Sequence, residues 1–212
     1  AFFRRQRQMC IRDRFNFEPL ILRDGVIVFE KKGTIIRFND NKKVVWKNNF
    51  YSKTEKKIHP TLSFAITDKN LLVADSIAKI SNIDLQSGDL IWSKKSEYPF
   101  NSEIKIHKDK FFVVDFKNTL RCFYLKDGSE CWNIKTEESF TVSNSKFSIL
   151  VRDNLVIYNN SLGDITAIDI SSGLIEWQLP TQKSSIINET YSFNFSKLVS
   201  DGKSIYFSNN KN

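Results

Sequence analysis

The sequence predicts an all-β protein, a β-propeller of four-stranded antiparallel blades, and three observations carry that reading. The four tryptophans, Trp46, Trp92, Trp132 and Trp177, are separated by 46, 40 and 45 residues. Upstream of each lies an acidic turn: Asp24 in RDG, Asp68 in TDKN, Asp109 in KDK and Asp153 in RDN. The distances from these aspartates to their tryptophans are 22, 24, 23 and 24 residues. Around both markers lie short β-branched and aromatic runs, and no stretch shows 3.6-residue periodicity over helical length. Repeats of about 40–45 residues with four strands each have the dimensions of a propeller blade. A β-sandwich would leave the fixed phase of the tryptophans unexplained.

Within each copy the elements follow in order. A first strand precedes the acidic turn, in PLILR (19–23), LSFAIT (62–67), EIKIH (103–107) and FSILV (147–151). A second follows it, in VIVFE (26–30), LLVAD (71–75), FFVVD (111–115) and LVIYN (155–159), all rich in residues that favour strands. The third alternates, in TIIRFND (34–40), AKISNID (78–84), TLRCFYL (119–125) and DITAIDI (164–170). A polar turn then leads to the strand that bears the tryptophan: KVVWK, DLIWS, SECWN and LIEWQ. A fifth acidic turn, Asp201 in SDGK, and the run SIYFS (204–208) open another copy. The expected blades span about 18–50, 60–97, 101–137, 145–180 and, for the start of the next, 195–212. That is about four and a half blades of a seven- or eight-bladed ring, so the chain reads as a fragment. An open ring would leave strand edges unpaired.

The chain has 212 residues, 13% aromatic and 26% charged, a globular composition without any run of the 18 or more apolar residues that a membrane span needs. Its net charge of +8 invites a nucleic-acid partner. Half of that charge lies in the first fourteen residues, where five arginines stand against Asp13. Residues 1–14 show no strand alternation, cap or turn chemistry. They read as a non-native leader, with a basic arm as the alternative, and are set apart from the fold. The partial propeller is then 15–212, and nucleic acid is not expected as a partner.

Residues 163–177, GDITAIDISSGLIEW, contain the most complete copy of a recurring motif. A small residue, Ala167, is followed by Asp169, Gly173 and Trp177. The second copy has Asp84, Gly88 and Trp92, with Asn82 in the small position. The third keeps Gly128 and Trp132, with Cys122 and Tyr124 before them. In the first, Ile36, Phe38 and Lys42 precede Trp46. Asp or Ser before Gly supplies the positive-φ residue of a tight hairpin. A tryptophan on the outer strand can lay its ring across the neighbouring blade, where its N–H needs an acceptor. This pattern resembles the tryptophan-docking repeat of PQQ-type, or quinoprotein-type, propellers over residues 18–208. The resemblance implies that each tryptophan stacks on the glycine region of the next blade.

The residues offer no catalytic, cofactor-binding or metal site. His59 and His107 lack ligand-spaced partners and read as structural. There is no phosphate-binding glycine loop, no G-x-S-x-G elbow and no H-E-x-x-H. Asp68, Asp109, Asp153 and Asp201 read as turn residues, although they would line one face. Cys122 and Cys131 flank the LKDG turn symmetrically and are expected to face each other across the hairpin. Directly opposed Cβ atoms lie about 4.5–5.5 Å apart, whereas a disulfide needs about 3.5–4.5 Å. A bridge and two free, semi-buried thiols both remain open, the second favoured. The polar connections 48–60 and 181–196 are expected to be loops, the usual place for partner contacts or solvated links between blades.

Among PQQ-type propellers the chain most resembles the BamB family of outer-membrane assembly lipoproteins. That resemblance implies a non-catalytic, periplasmic scaffold anchored by a lipid outside this fragment, with other proteins as partners, among them POTRA domains of the barrel insertase. It implies no cofactor. The quinoprotein dehydrogenases of the same fold instead use vicinal cysteines, calcium ligands and a catalytic aspartate. This chain has no vicinal cysteines, so a dehydrogenase fragment is the alternative only if those residues lie in other blades. A cell-surface or signalling propeller is a third option.

Overall fold

The computed structural model describes residues 19–137, 146–181 and 196–208. The expected leader, 1–14, lies outside the described residues, as does nearly all of the connection 181–196. The chain divides into two units between His59 and Pro60.

The first unit holds one antiparallel sheet in sequential order: β1 (Leu20–Leu22), β2 (Gly25–Phe29), β3 (Ile35–Asn39) and β4 (Val44–Asn48). Ile27, Ile35 and Ile36 are buried. A short helix, α1 (Lys53–Ile58), follows where the sequence predicts only a loop. Its start has a local cause. The Ser52 hydroxyl accepts from Glu55 N while Glu55 Oε2 accepts from Ser52 N at 2.7 Å, a reciprocal capping box. The helix buries no residue, and left-handed His59 ends it just before Pro60.

The second unit repeats the four-stranded pattern three times. One sheet comprises β5 (Leu62–Ile66), β6 (Asn70–Asp75), β7 (Lys79–Asp84) and β8 (Leu90–Lys95). The next comprises β9 (Lys105–His107), β10 (Lys110–Val114), β11 (Thr119–Tyr124) and β12 (Glu130–Lys135). A third comprises β13 (Ile149–Arg152), β14 (Leu155–Asn159), β15 (Ile165–Asp169) and β16 (Ile175–Leu179). The two-stranded pair β17 (Val199–Ser200) and β18 (Ile205–Tyr206) closes around Asp201. All pairing within these sheets is antiparallel between sequence neighbours, as in propeller blades.

The continuous apolar runs are explained by where the second strands sit. In β10, Phe111 and Val113 join a cluster with Leu72, Ala74 and Ile80. Phe112 and Val114 join one with Phe147, Val156 and Tyr158. The strand is thus covered on both faces, and no polar alternation is needed. The fourth strands are mostly exposed, and β16 is exposed throughout.

In the second unit each turn between a second and third strand closes on its own side chain. Asp75 Oδ1 accepts from Ile77 N and Lys79 N, Asp115 Oδ1 from Lys117 N and Thr119 N, and Asn160 Oδ1 from Leu162 N and Asp164 N. The left-handed residue that follows is Ala78, Asn118 or Gly163.

Every third-to-fourth-strand pairing carries a one-residue register shift just before the tryptophan. The partners step from Phe38↔Val44 to Arg37↔Trp46, from Ile83↔Leu90 to Asn82↔Trp92, from Phe123↔Glu130 to Cys122↔Trp132, and from Ile168↔Ile175 to Ala167↔Trp177. A β-bulge of this kind sets two residues opposite one and re-aims the side chain that follows.

Candidate functional site

The residues singled out by the repeat converge at the boundaries between successive sheets of the second unit. Trp92 leaves β8 and lies against the hairpin between β11 and β12. Its indole Nε1 donates to Leu125 O at 3.1 Å, and its ring stacks on Phe111 with centroids 6.1 Å apart. A Cβ on Gly128 would lie 2.7 Å from Trp92 Cζ3, so the glycine leaves room for the ring. One repeat later Trp132 Nε1 donates to Ile170 O at 3.1 Å, and a Cβ on Gly173 would lie 2.6 Å from Trp132 Cγ. Both glycines also have positive φ, +65° and +74°. Turn geometry and the room for the indole therefore demand glycine at the same position.

Each acceptor carbonyl takes a second donor. Asn82 Nδ2 reaches Leu125 O at 3.2 Å, and Asn82 Oδ1 in turn accepts from Asn70. Lys110 Nζ reaches Ile170 O at 3.1 Å. Asn82, which departs from the small residue of the motif, thus helps to hold in place the carbonyl that receives Trp92. Ala167 is fully buried opposite Trp177. Trp177 itself is 40% exposed, beside exposed Leu174, Ile175 and Leu179.

The motif aspartates hold turns. Asp84 Oδ1 accepts from Gln86 N and Ser87 N, and Gly88 N donates back to Asp84 O. Asp169 Oδ1 accepts from Ser171 N, Ser172 N and the Ser172 hydroxyl, and the Ser172 contacts above all hold its carboxyl below the usual carboxylate range. In the first copy the turn is one residue shorter. Arg37, not Ile36, stands opposite Trp46, and Asn39, not Phe38, caps the turn through Lys43 N. Lys42 does hold the glycine position, at φ +59°. Arg37 is buried and donates to Asp24 at 2.6 Å.

Cys122 and Cys131 are free thiols. The expected symmetry holds as far as Phe123↔Glu130 and then breaks: the backbone partner of Cys122 is Trp132, because Cys131 is the extra residue of the bulge. Cys131 and Trp132 share the space opposite Cys122.

Two polar clusters brace the repeats. Asp115, with 0% exposure, accepts from Arg121 Nε at 2.9 Å, and the same guanidinium reaches Glu130 at 3.0 Å. Buried Asn118 donates to Ser161 Oγ at 2.7 Å and accepts from Ser161 N, while Tyr158 donates to Thr136 Oγ1 at 3.1 Å. A cavity of about 280 Å³ beside β8 is lined by Lys94, Lys95, Glu97, Arg121 and Glu130, charges of both signs. His107 pairs with Lys110 in a hairpin, and His59 caps α1. Among the described residues no three His, Cys, Asp or Glu side chains gather as metal ligands, and no helix is long and apolar enough to cross a membrane. The cysteines are cross-strand neighbours rather than adjacent in sequence, so they do not fit the vicinal pair of a quinoprotein dehydrogenase.

A PQQ-type family model, described as outer membrane protein assembly factor BamB, matches residues 23–212. BamB from Moraxella catarrhalis is similar in structure at a TM-score of 0.62 and 17% identity, over 89% of this chain and 56% of that one. The computationally designed Ika8 protein is similar at a TM-score of 0.63 and 13% identity, over 77% of this chain and 48% of that one. The chain thus spans about half the length of the solved structures it matches. At these identities the likeness shows the propeller fold alone. No curated protein sequence matches the chain significantly.

Proposed function

Because the chain belongs to the family of the outer membrane protein assembly factor BamB, we propose that it is a non-catalytic propeller scaffold that binds other proteins. In this reading it works in the periplasm in outer-membrane protein assembly, held at the membrane by a lipid, with the POTRA domains of the barrel insertase as partner. The observation that carries the reading is the use to which the repeat's chemistry is put. Trp92 and Trp132 tie one sheet to the next, and Asp84 and Asp169 hold turn amides. What stays available to a partner is the set of exposed fourth strands and hairpins, the surfaces a scaffold needs.

The test is binding of the purified protein to an immobilised POTRA array from the same cell, followed by biolayer interferometry. Saturable binding that a soluble array competes away supports the scaffold. The rival, a quinone-dependent dehydrogenase, is tested on the same preparation with pyrroloquinoline quinone, calcium and a dye acceptor. Alcohol-dependent dye reduction without POTRA binding would overturn the proposal.

A further inference from the structure

The third repeat carries two free cysteines on neighbouring strands, Cys122 in β11 and Cys131 in β12. Cys122 has no exposure and sits in the apolar cluster of Phe112, Val156 and Tyr158. Cys131 is partly exposed and packs on the same cluster. The bulge takes Cys131 out of the regular pleat and sets it, with Trp132, opposite Cys122. The two thiols therefore stand on facing strands and pack against one apolar cluster. Lys110, whose ammonium donates to the carbonyl that also receives Trp132, acts on both sulfurs.

We propose that Cys122 and Cys131 are a disulfide-forming pair, oxidised by exchange with a low-molecular-weight disulfide such as oxidised glutathione, and that the bond fixes the bulge from which Trp132 projects. Cys131, the accessible thiol, reacts first. Its thiolate attacks one sulfur of glutathione disulfide, forming a mixed disulfide and releasing one glutathione thiolate. The Cys122 thiolate then attacks the Cys131 sulfur and releases the second glutathione. One S–S bond breaks and one forms. The protein gives up two protons and two electrons, and both glutathiones end as thiols. Burial pushes both thiols up, with Asp109 adding to the rise and Lys110 opposing it. Exchange is therefore run under alkaline conditions, where more thiolate is present.

The experiment uses the full chain with Cys10→Ser, which leaves only this pair. Reduced protein, denatured and treated with iodoacetamide, takes up two alkyl groups. After oxidised glutathione it is expected to take up none and to carry no glutathione. Cys122→Ser is expected to keep a stable glutathione adduct on Cys131. Cys131→Ser is expected to react at least about tenfold more slowly, because a buried thiol meets the oxidant rarely. Non-reducing peptide mapping of the oxidised parent reads the same bond without any further variant, should a serine variant fail to fold. Two alkylations after oxidation, a glutathione adduct that persists when both cysteines are present, or a disulfide between chains would each overturn the proposal.

Discussion

The contact between Trp92 and Gly128 permits a test in which two substitutions must interact. Trp92→Ala removes an indole that stacks on Phe111, covers Gly128 and donates to Leu125 O at 3.1 Å. Truncation of a core tryptophan costs about 3–5 kcal/mol, and this ring is partly exposed, so about 3 kcal/mol is expected. Gly128→Ala places a methyl 2.7 Å from Trp92 Cζ3. It also forces alanine to φ +65°, which by itself costs about 1 kcal/mol. Displacing the ring adds the cost of overpacking, about 1–3 kcal/mol. The full cost is therefore about 2–4 kcal/mol with the indole present, falling to about 1 kcal/mol in the Trp92→Ala background. The coupling energy in a double-mutant cycle is then about 1–3 kcal/mol. Urea unfolding of all four proteins, followed by far-ultraviolet circular dichroism, measures it. Gly202→Ala is the control, since its φ is +92° but nothing lies within 4 Å of the added methyl. If Gly128→Ala costs the same with and without the indole, the ring does not rest on the glycine as described.

Other outcomes follow from the same geometry. Asn82→Ala restores the small residue of the repeat motif, yet it is expected to destabilise by about 1 kcal/mol in chemical denaturation, because Leu125 O and Asn70 each lose a partner. Asp115→Ala strips the buried carboxylate from Arg121 and is expected to cost about 3–5 kcal/mol in the same assay, with the guanidinium left to Glu130 alone. The Asp201 carboxyl, held down to about 2 chiefly by the Ser204 and Lys203 amides and by Tyr206, should show that midpoint in a carboxyl-carbon NMR titration. Since its folded value is depressed, its contribution is complete above the ordinary aspartate range of about 4 and is lost as pH falls through about 2. A midpoint at the ordinary value would mean the turn is not closed as described.

Much of this architecture was readable from residue types, because hairpins and buried strands are encoded locally. The acidic turns, the apolar second strands and the tryptophan phase each reflect a constraint within a few residues. The bulge was not readable. It adds one residue before every tryptophan, and nothing in KVVWK, DLIWS, SECWN or LIEWQ distinguishes that residue from a regular strand position. Simple symmetry about LKDG therefore paired Cys122 with Cys131. In the first copy, the shortened turn moved the motif by one residue, to Arg37 and Asn39. Counting back from Trp46 cannot detect a deletion inside a turn. Helix α1 did leave a signal, the S-x-x-E of Ser52 to Glu55, but its six residues are too few for periodicity to show. The role of Asn82 depended on a carbonyl 43 residues away, which no local pattern reports.

The tryptophan contacts have a direction. Trp92 reaches forward to the turn at Gly128, and Trp132 reaches forward to the turn at Gly173. The second and third repeats are thus each tied to the one that follows, so a lesion in one turn is felt in the preceding repeat as well as in its own. A lesion in the Gly173 turn would first loosen the anchoring of Trp132 and only through it reach Trp92. In a quasi-one-dimensional array of this kind, stability is shared between nearest neighbours. The contact free energy belongs to both neighbours alike, so hydrogen exchange after a substitution at Gly173 should lose protection in the third repeat as well as in the fourth.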